Sequence, residues 1–270
     1  MILKSPAKIN LFLNIVKKRN DGYHDIETYF QFVNLYDEIT LEIIPGSKII
    51  FSSSNDRISD NDNLCVKAAE ILKEYVAIGS DLNVSIKLLK NIPIGGGLGG
   101  GSSNAASVLL GLNKLWKCNL EKKELLFLGE KLGSDVPVFI NGFSAYGEKT
   151  GTDLTSFSLE KKYFLIVDPK IHVSSKKMYE KYEIKDCIKH INLDNMHQNI
   201  GFNSFESLLC EENPEIEDLL RILRKFGNGS VSGSGGCLFS MFEDEDSAKN
   251  ISKHVPDKYC TYIVHSLNRI

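Results

Sequence analysis

Residues Pro93–Ser103 read PIGGGLGGGSS, with glycine at six of the seven positions from 95 to 101. A strand pattern, Val84, Ile86 and Leu88, leads into the run. An amphipathic segment, Asn104–Trp116, follows it and places Ala105, Val108, Leu109, Leu112, Leu115 and Trp116 on one helical face. Backbone stripped of side chains at a helix N-terminus offers its N–H groups to an anion, and the helix dipole adds to the attraction. The stretch therefore predicts a cradle for nucleotide phosphates, with Ser102 and Ser103 as helix caps. A flexible glycine linker would be longer and would not hold Leu98 between a strand and a helix.

Three kinds of glycine loop compete for this pattern. A P-loop needs Gly-Lys-Ser/Thr, and here Gly100-Gly101-Ser102-Ser103 has no lysine. Gly95, Gly97 and Gly100 satisfy G-x-G-x-x-G, but a dinucleotide fold also wants an acidic residue at a strand end about 20 residues on. The nearest, Glu121, falls between two helical patterns. A protein-kinase loop would be followed by H-R-D and D-F-G motifs, which are absent.

The 270 residues suffice for roughly two domains or one large one, and 32 basic against 35 acidic residues leave no basic stripe for a nucleic-acid duplex. Lys4, Pro6 and Lys8 interrupt the N-terminal apolar residues, so no signal-peptide core is predicted, and no apolar run reaches membrane-spanning length. Cys65, Cys118, Cys187, Cys210, Cys237 and Cys260 are scattered without a C-x-x-C pair, which predicts reduced thiols. The six histidines show no metal-ligand spacing. A cytoplasmic enzyme without a structural metal is expected.

Residues 7–16 alternate with strand period, Asn20-Asp21-Gly22 signals a turn, and Ile26–Val33 alternates again, which predicts a hairpin. A further strand is predicted over Glu38–Ile44. A helix is predicted over Leu64–Val76, with Asp60, Asn61 or Asp62 as its N-cap, and another over Glu121–Leu132, ended by Gly133. Lys149–Ser158, rich in Thr, Ser and Gly, is the predicted boundary between domains at 1–152 and 153–270. Beyond it come a strand at Tyr163–Val167, a helix at Ile216–Phe226, the loop GNGSVSGSGG and a strand at Cys237–Phe242. This irregular alternation suits an α+β protein of two lobes.

The glycine loop resembles the second motif of the GHMP kinase superfamily. SPAKINLFLNI at 5–15 is similar to its first motif, and VSGSGGCLF at 231–239 to its third. DGYHDIETYFQ at 21–31 and GSDVPVFINGFSAYGEKTG at 133–151 narrow the resemblance. They point to members that phosphorylate a cytidine diphosphate derivative of methylerythritol, on the non-mevalonate route to isoprenoids. The strong matches cover roughly a third of the chain, and nothing is carried over to 180–228. The resemblance implies the two-lobed α+β GHMP kinase fold, with the glycine loop in the N-terminal lobe, and ATP with Mg²⁺ as its complex. No carboxylate is assigned to the metal. Two other readings use the same motifs: a GHMP kinase of the homoserine or mevalonate type, and a non-catalytic nucleotide-binding sensor. The presence of both Lys8 and Asp135 argues against the sensor.

Residue roles follow from the resemblance. From the residues alone Asp135, with Pro137 behind it, is an N-cap; the resemblance makes it the base that takes the proton of the attacking hydroxyl. Lys8, alone, is a strand-end lysine reaching to solvent; the resemblance places its ammonium beside Asp135 and the substrate hydroxyl. Asn10, on the same strand face, would hydrogen-bond the erythritol hydroxyls. Tyr23 and His24, otherwise an exposed hairpin tip, would stack on cytosine and bond its edge. Tyr179, otherwise a core-facing helical aromatic, would form the opposite wall, and Ser175 would contact the substrate. Pro93, Ile94, Gly95, Gly96, Gly97, Leu98, Gly99, Gly100, Gly101, Ser102 and Ser103 would wrap the ATP phosphates. Asn63 and Lys90 would serve the adenine side, Lys90 being otherwise a solvated strand-end charge. Gly233–Gly236 would pack beside the substrate diphosphate.

Overall fold

The alternating N-terminal run forms β1 (Ile2–Lys18), and every residue from Ser5 to Ile15 is buried. Both faces of the strand are covered, so its polar face, with Lys8, Asn10 and Asn14, is interior as well. The computed structural model describes residues 1–46, 48–58, 63–76, 83–184 and 189–270. The Asn20-Asp21-Gly22 turn follows, with Gly22 at φ +87° and the Arg19 N–H donating to the Tyr23 carbonyl at 2.8 Å. It leads into β2 (His24–Ile43), one strand of 20 residues where the apolar pattern predicts two. Asn34–Asp37 contains no glycine or proline to interrupt the ladder.

The remaining elements are β3 (Ile49–Ser53), α1 (Leu64–Tyr75), β4 (Val84–Leu89), α2 (Gly100–Leu115), α3 (Lys122–Leu132) and α4 (Val136–Asn141). Next come β5 (Ala145–Glu148), β6 (Asp153–Ser156), β7 (Tyr163–Asp168) and α5 (Ser175–Lys181). After a 3₁₀ turn at Met196–Asn199, the chain ends with α6 (Glu206–Glu212), α7 (Pro214–Arg224), β8 (Gly229–Val231), β9 (Leu238–Phe242), α8 (Glu245–Ser252) and β10 (Cys260–Leu267). The class is α+β, as the sequence predicts.

The chain divides into two compact units, each assembled from several stretches. The first comprises Met1–Ala7, Leu35–Ile92 and Gly99–Gly142. In it β2 residues Glu38–Ile43 pair antiparallel with β4, and β3 pairs parallel with β4. Ile39, Leu41, Ile86 and Leu88 are buried from the sheet side, and Ala68, Leu72, Leu109 and Leu112 from the helices. The Asn63 side chain caps α1, accepting from the Cys65 N–H at 2.7 Å. The predicted caps Asp60, Asn61 and Asp62 lie outside the described residues. Helix α3 opens with the Glu121–Glu124 capping box and ends at Gly133.

The second unit comprises Lys8–Asn34, Pro93–Leu98 and Phe143–Ile270. Its strands run β10–β7–β9–β8, all antiparallel, and Ser266 and Leu267 of β10 lie opposite Val33 and Phe32 of β2. Residues Thr28–Phe30 pair with β5, and β5 with β6, so the Thr- and Gly-rich segment 149–158 contains a short strand. Helix α7 buries Ile216, Leu219, Leu220 and Leu223 against a core of Leu165, Val167, Phe205 and Leu238. Its acids Glu215 and Glu217 sit in the first turn and its arginines 221 and 224 in the last, both favourable to the dipole. Among the described residues, no helix is long and apolar enough to cross a membrane.

Candidate active site

Pro93–Leu98 is held in the second unit by the later glycine turn. The Gly236 N–H donates to the Gly95 carbonyl at 3.3 Å and the Cys237 N–H to the Gly96 carbonyl at 3.1 Å. A Cβ on Gly97 would stand 1.9 Å from the Ser232 carbonyl oxygen. Glycine is required there for close backbone approach and for a φ of +76°. Gly233–Gly236 thus packs on the first glycine loop itself.

Lys8 reaches the same loop. It is 3% exposed, so it does not extend to solvent. Its Nζ donates to Asn10 Oδ1 at 2.6 Å and to the Gly97 carbonyl at 2.9 Å, and lies 5.6 Å from the centroid of the Phe30 ring. A buried ammonium is costly unless it is hydrogen-bonded, and here the strand face and the loop supply acceptors. Ser232 Oγ donates to the same Gly97 carbonyl at 3.2 Å and accepts the Asn10 N–H at 3.3 Å. Asn10 is committed on both sides, since its Nδ2 donates to Thr28 Oγ1 at 2.8 Å.

In the first unit α2 starts at Gly100, with Gly99 as N-cap in a left-handed conformation and no side-chain cap bond. Ser102 and Ser103 therefore lie inside the first turn and are not caps. Because Gly99 has no side chain to offer, the capping role at the first turn is left open to a ligand anion. The Ser103 hydroxyl is buried with no partner among the described residues.

Asp37 organises the base of this turn. Its Oδ1 accepts the N–H groups of Asn91 and Ile92 at 2.7 and 2.8 Å, and its Oδ2 accepts Lys90 Nζ at 2.8 Å and Asn104 Nδ2 at 2.9 Å. Lys90 also donates to the Ile92 carbonyl. It is therefore a buried ion-pair member, not a solvated strand-end charge. Burial lowers its pKa, with Asp37 pulling the other way. The Cys65 thiol is pushed up to about 12, chiefly by burial and then by Asp37. Sequence reasoning missed Asp37, although a signal existed. Leu35, Asp37, Ile39 and Leu41 share one strand face, and a carboxylate on an apolar face needs a partner.

Asp135 occupies the N-cap position of α4 with Pro137 behind it, but its side chain makes no cap bond. It is half-buried, and the cap reading from the residues alone is not realised.

The hairpin tip splits. Tyr23 is 62% exposed, whereas His24 is 5% exposed with neither ring nitrogen bonded to a described residue. Burial, and then Lys18, lower the His24 pKa. The Tyr179 ring lies 5.2 Å from His24, tilted by 31°, and meets Phe205 edge-on at 4.8 Å. Tyr179 thus packs against the core on one side and His24 on the other. Ser175 accepts from Ser234 Oγ at 2.7 Å, which ties α5 to the second glycine turn.

The chain matches the GHMP kinases N terminal domain over residues 63–143 and the GHMP kinases C terminal family over 184–260. It is 37% identical over 270 residues to the 4-diphosphocytidyl-2-C-methyl-D-erythritol kinase of Colwellia psychrerythraea, covering 98% of this chain and 89% of that one. Identity to the Pseudoalteromonas translucida protein of the same name is 41% over 266 residues, covering 98% and 93%. A crystal structure of 4-(cytidine 5'-diphospho)-2C-methyl-D-erythritol kinase superposes with a TM-score of 0.84 at 29% identity, covering 98% and 99% of the two chains. A mevalonate kinase structure superposes at 0.72 with 16% identity over 100% of both chains, a likeness of fold alone.

Proposed function

The chain belongs to the GHMP kinases and, within them, to the 4-diphosphocytidyl-2-C-methyl-D-erythritol kinases, and on that premise we propose how its residues carry the reaction. The enzyme phosphorylates the 2-hydroxyl of 4-diphosphocytidyl-2-C-methyl-D-erythritol with ATP. A bond forms between that oxygen and the γ-phosphorus as the bond from phosphorus to the ADP oxygen breaks. Asp135 takes the hydroxyl proton, and Lys8 stabilises the developing negative charge.

One observation carries this reading. The Lys8 ammonium is buried and bonded to the Gly97 carbonyl, so the first motif delivers a fixed cation to the glycine loop. That loop lacks the lysine a P-loop would supply. Residues 93–103 wrap the ATP phosphates, and Asn63 and Lys90 support the adenine side from beneath. Mg²⁺ would come as the ATP complex and, when bound, would shield the phosphate charge. Among the described residues no group of three or more His, Cys, Asp or Glu side chains could hold an ion, and no carboxylate is assigned to it.

At the cytidine end Tyr23 stacks on the base, His24 bonds its edge and Tyr179 forms the opposite wall. Asn10 faces the erythritol hydroxyls, Ser175 contacts the substrate and Gly233–Gly236 packs beside its diphosphate. We place the family's N- and C-terminal domains on either side of residue 152, between the two matched stretches, and the reaction in the cytoplasm.

The test is ADP release with the diphosphocytidyl compound beside methylerythritol phosphate, homoserine and mevalonate. Turnover with the first alone is expected. Turnover with homoserine or mevalonate instead would favour another GHMP kinase, and ATP binding without any turnover would favour the sensor.

A further inference from the structure

We propose that Thr28 is a positioning residue for the phosphoryl transfer, because its hydroxyl fixes which end of the Asn10 amide faces Lys8. The inference rests on the role given to Lys8 above and adds a residue to it. Thr28 lies on β2 and is fully buried. Its Oγ1 is 2.5 Å from the Phe12 carbonyl oxygen and 2.8 Å from Asn10 Nδ2.

The direction of each bond follows from what each atom can do. A carbonyl oxygen only accepts, so the single hydroxyl proton of Thr28 goes to Phe12. The Thr28 oxygen is then left with lone pairs and can only accept from Asn10. That demands the NH₂ end of the Asn10 amide, and turns its oxygen towards Lys8 Nζ, 2.6 Å away. The reversed amide would set NH₂ against the ammonium, donor against donor, and would leave the Thr28 lone pairs facing an oxygen. A backbone carbonyl of β1 thus sets the polarity of a buried chain that ends on the cation at Gly97. Such chains hold their members in a single arrangement because every alternative leaves a buried group unpaired.

The hydrophobic reading of Thr28 predicts that its shape matters and its hydroxyl does not. Thr28→Val replaces the hydroxyl with a methyl group, and Thr28→Ser keeps the hydroxyl and removes the methyl. Per folded enzyme, Thr28→Val is expected to lower kcat roughly 10- to 100-fold with both KM values within about threefold, since partners that orient a functional group carry effects of that size. Thr28→Ser should stay within a few-fold of wild type. If the valine variant does not fold, Thr28→Ala takes its place with the same expectation.

A crystal structure of the valine or alanine variant gives a readout independent of activity, the Lys8 Nζ to Asn10 Oδ1 contact, which should be lost. Wild-type kcat in that variant, a loss that serine fails to restore, or an unchanged Lys8–Asn10 contact would overturn the inference. Wild-type enzyme inert towards the diphosphocytidyl substrate would instead overturn the proposed function, and the crystallographic contact would still decide whether Thr28 positions Lys8.

Discussion

Gly97 and Gly235 meet backbone to backbone: a Cβ on Gly235 would stand 2.0 Å from the Gly97 nitrogen. Two glycine turns far apart in sequence are thereby locked into one surface, and the loop proposed to receive phosphate is buttressed by the second turn. Preorganised N–H groups bind an anion without reordering, and this contact supplies the rigidity.

Alanine at either position should therefore be severe. Gly97→Ala faces backbone atoms that cannot swing away, at a positive φ, and should lose about 3–5 kcal/mol of stability together with ATP binding. Gly101→Ala is the control: among the described residues its Cβ would meet Leu64 Cδ1 at 3.7 Å and nothing closer, so stability should hold or rise by up to about 1 kcal/mol on helix propensity. Urea unfolding of both variants decides the matter, and equal effects would contradict the interlock.

Asp135→Asn is expected to lower kcat by about 10²–10⁴-fold, the range for removing a general base. ATP affinity measured by calorimetry should stay within a few-fold of wild type. Loss of ATP binding with kcat preserved at saturation would remove the residue from the chemistry and make it a nucleotide anchor.

The buried pair at the base of the loop gives an ordered prediction. Asp37→Asn leaves the Lys90 ammonium without its carboxylate and should cost about 3–5 kcal/mol. Lys90→Met removes the cation but leaves Asp37 accepting from Asn91, Ile92 and Asn104, so the loss should be smaller, about 1–3 kcal/mol. Denaturant midpoints giving the reverse order would show that Lys90, not Asp37, is the organising group.

These residues also mark where sequence reading succeeds and where it stops. The glycine loop, β1 and α2 are legible because periodicity and glycine spacing are local signals. Strand period alone puts Lys8 and Asn10 on one face, where the structure joins them at 2.6 Å. The Asp37 network, the Thr28 hydroxyl and the lock between Gly97 and Gly235 depend on partners distant in the chain, which periodicity does not carry. The caps misled for a related reason. Ser102, Ser103 and Asp135 are good capping residue types, but Gly99 takes one cap position and the Asp135 side chain makes no cap bond.

His24 sets a pH dependence. The folded residue has a lowered pKa through burial and then Lys18, while the unfolded residue takes up its proton near 6.5. Below that pH the unfolded chain holds more protons, so stability is lost as pH falls through about 6.5 until the folded histidine also charges. Unfolding free energy should therefore drop more steeply from pH 7.5 to 5 in wild type than in His24→Gln. Parallel curves would show that His24 is not held neutral by the fold.

Tyr23 separates recognition from folding. At 62% exposure it contributes little to the core, so Tyr23→Ala should leave stability within about 0.5 kcal/mol of wild type. If its ring stacks on cytosine, the same change removes about 1–3 kcal/mol of binding, or roughly 5- to 150-fold in KM for the diphosphocytidyl substrate. ATP has no part in that contact, so its KM should not move. A homoserine- or mevalonate-type kinase would be indifferent to the substitution. Steady-state kinetics with each substrate varied in turn therefore test the identity of the acceptor through a residue the fold does not need.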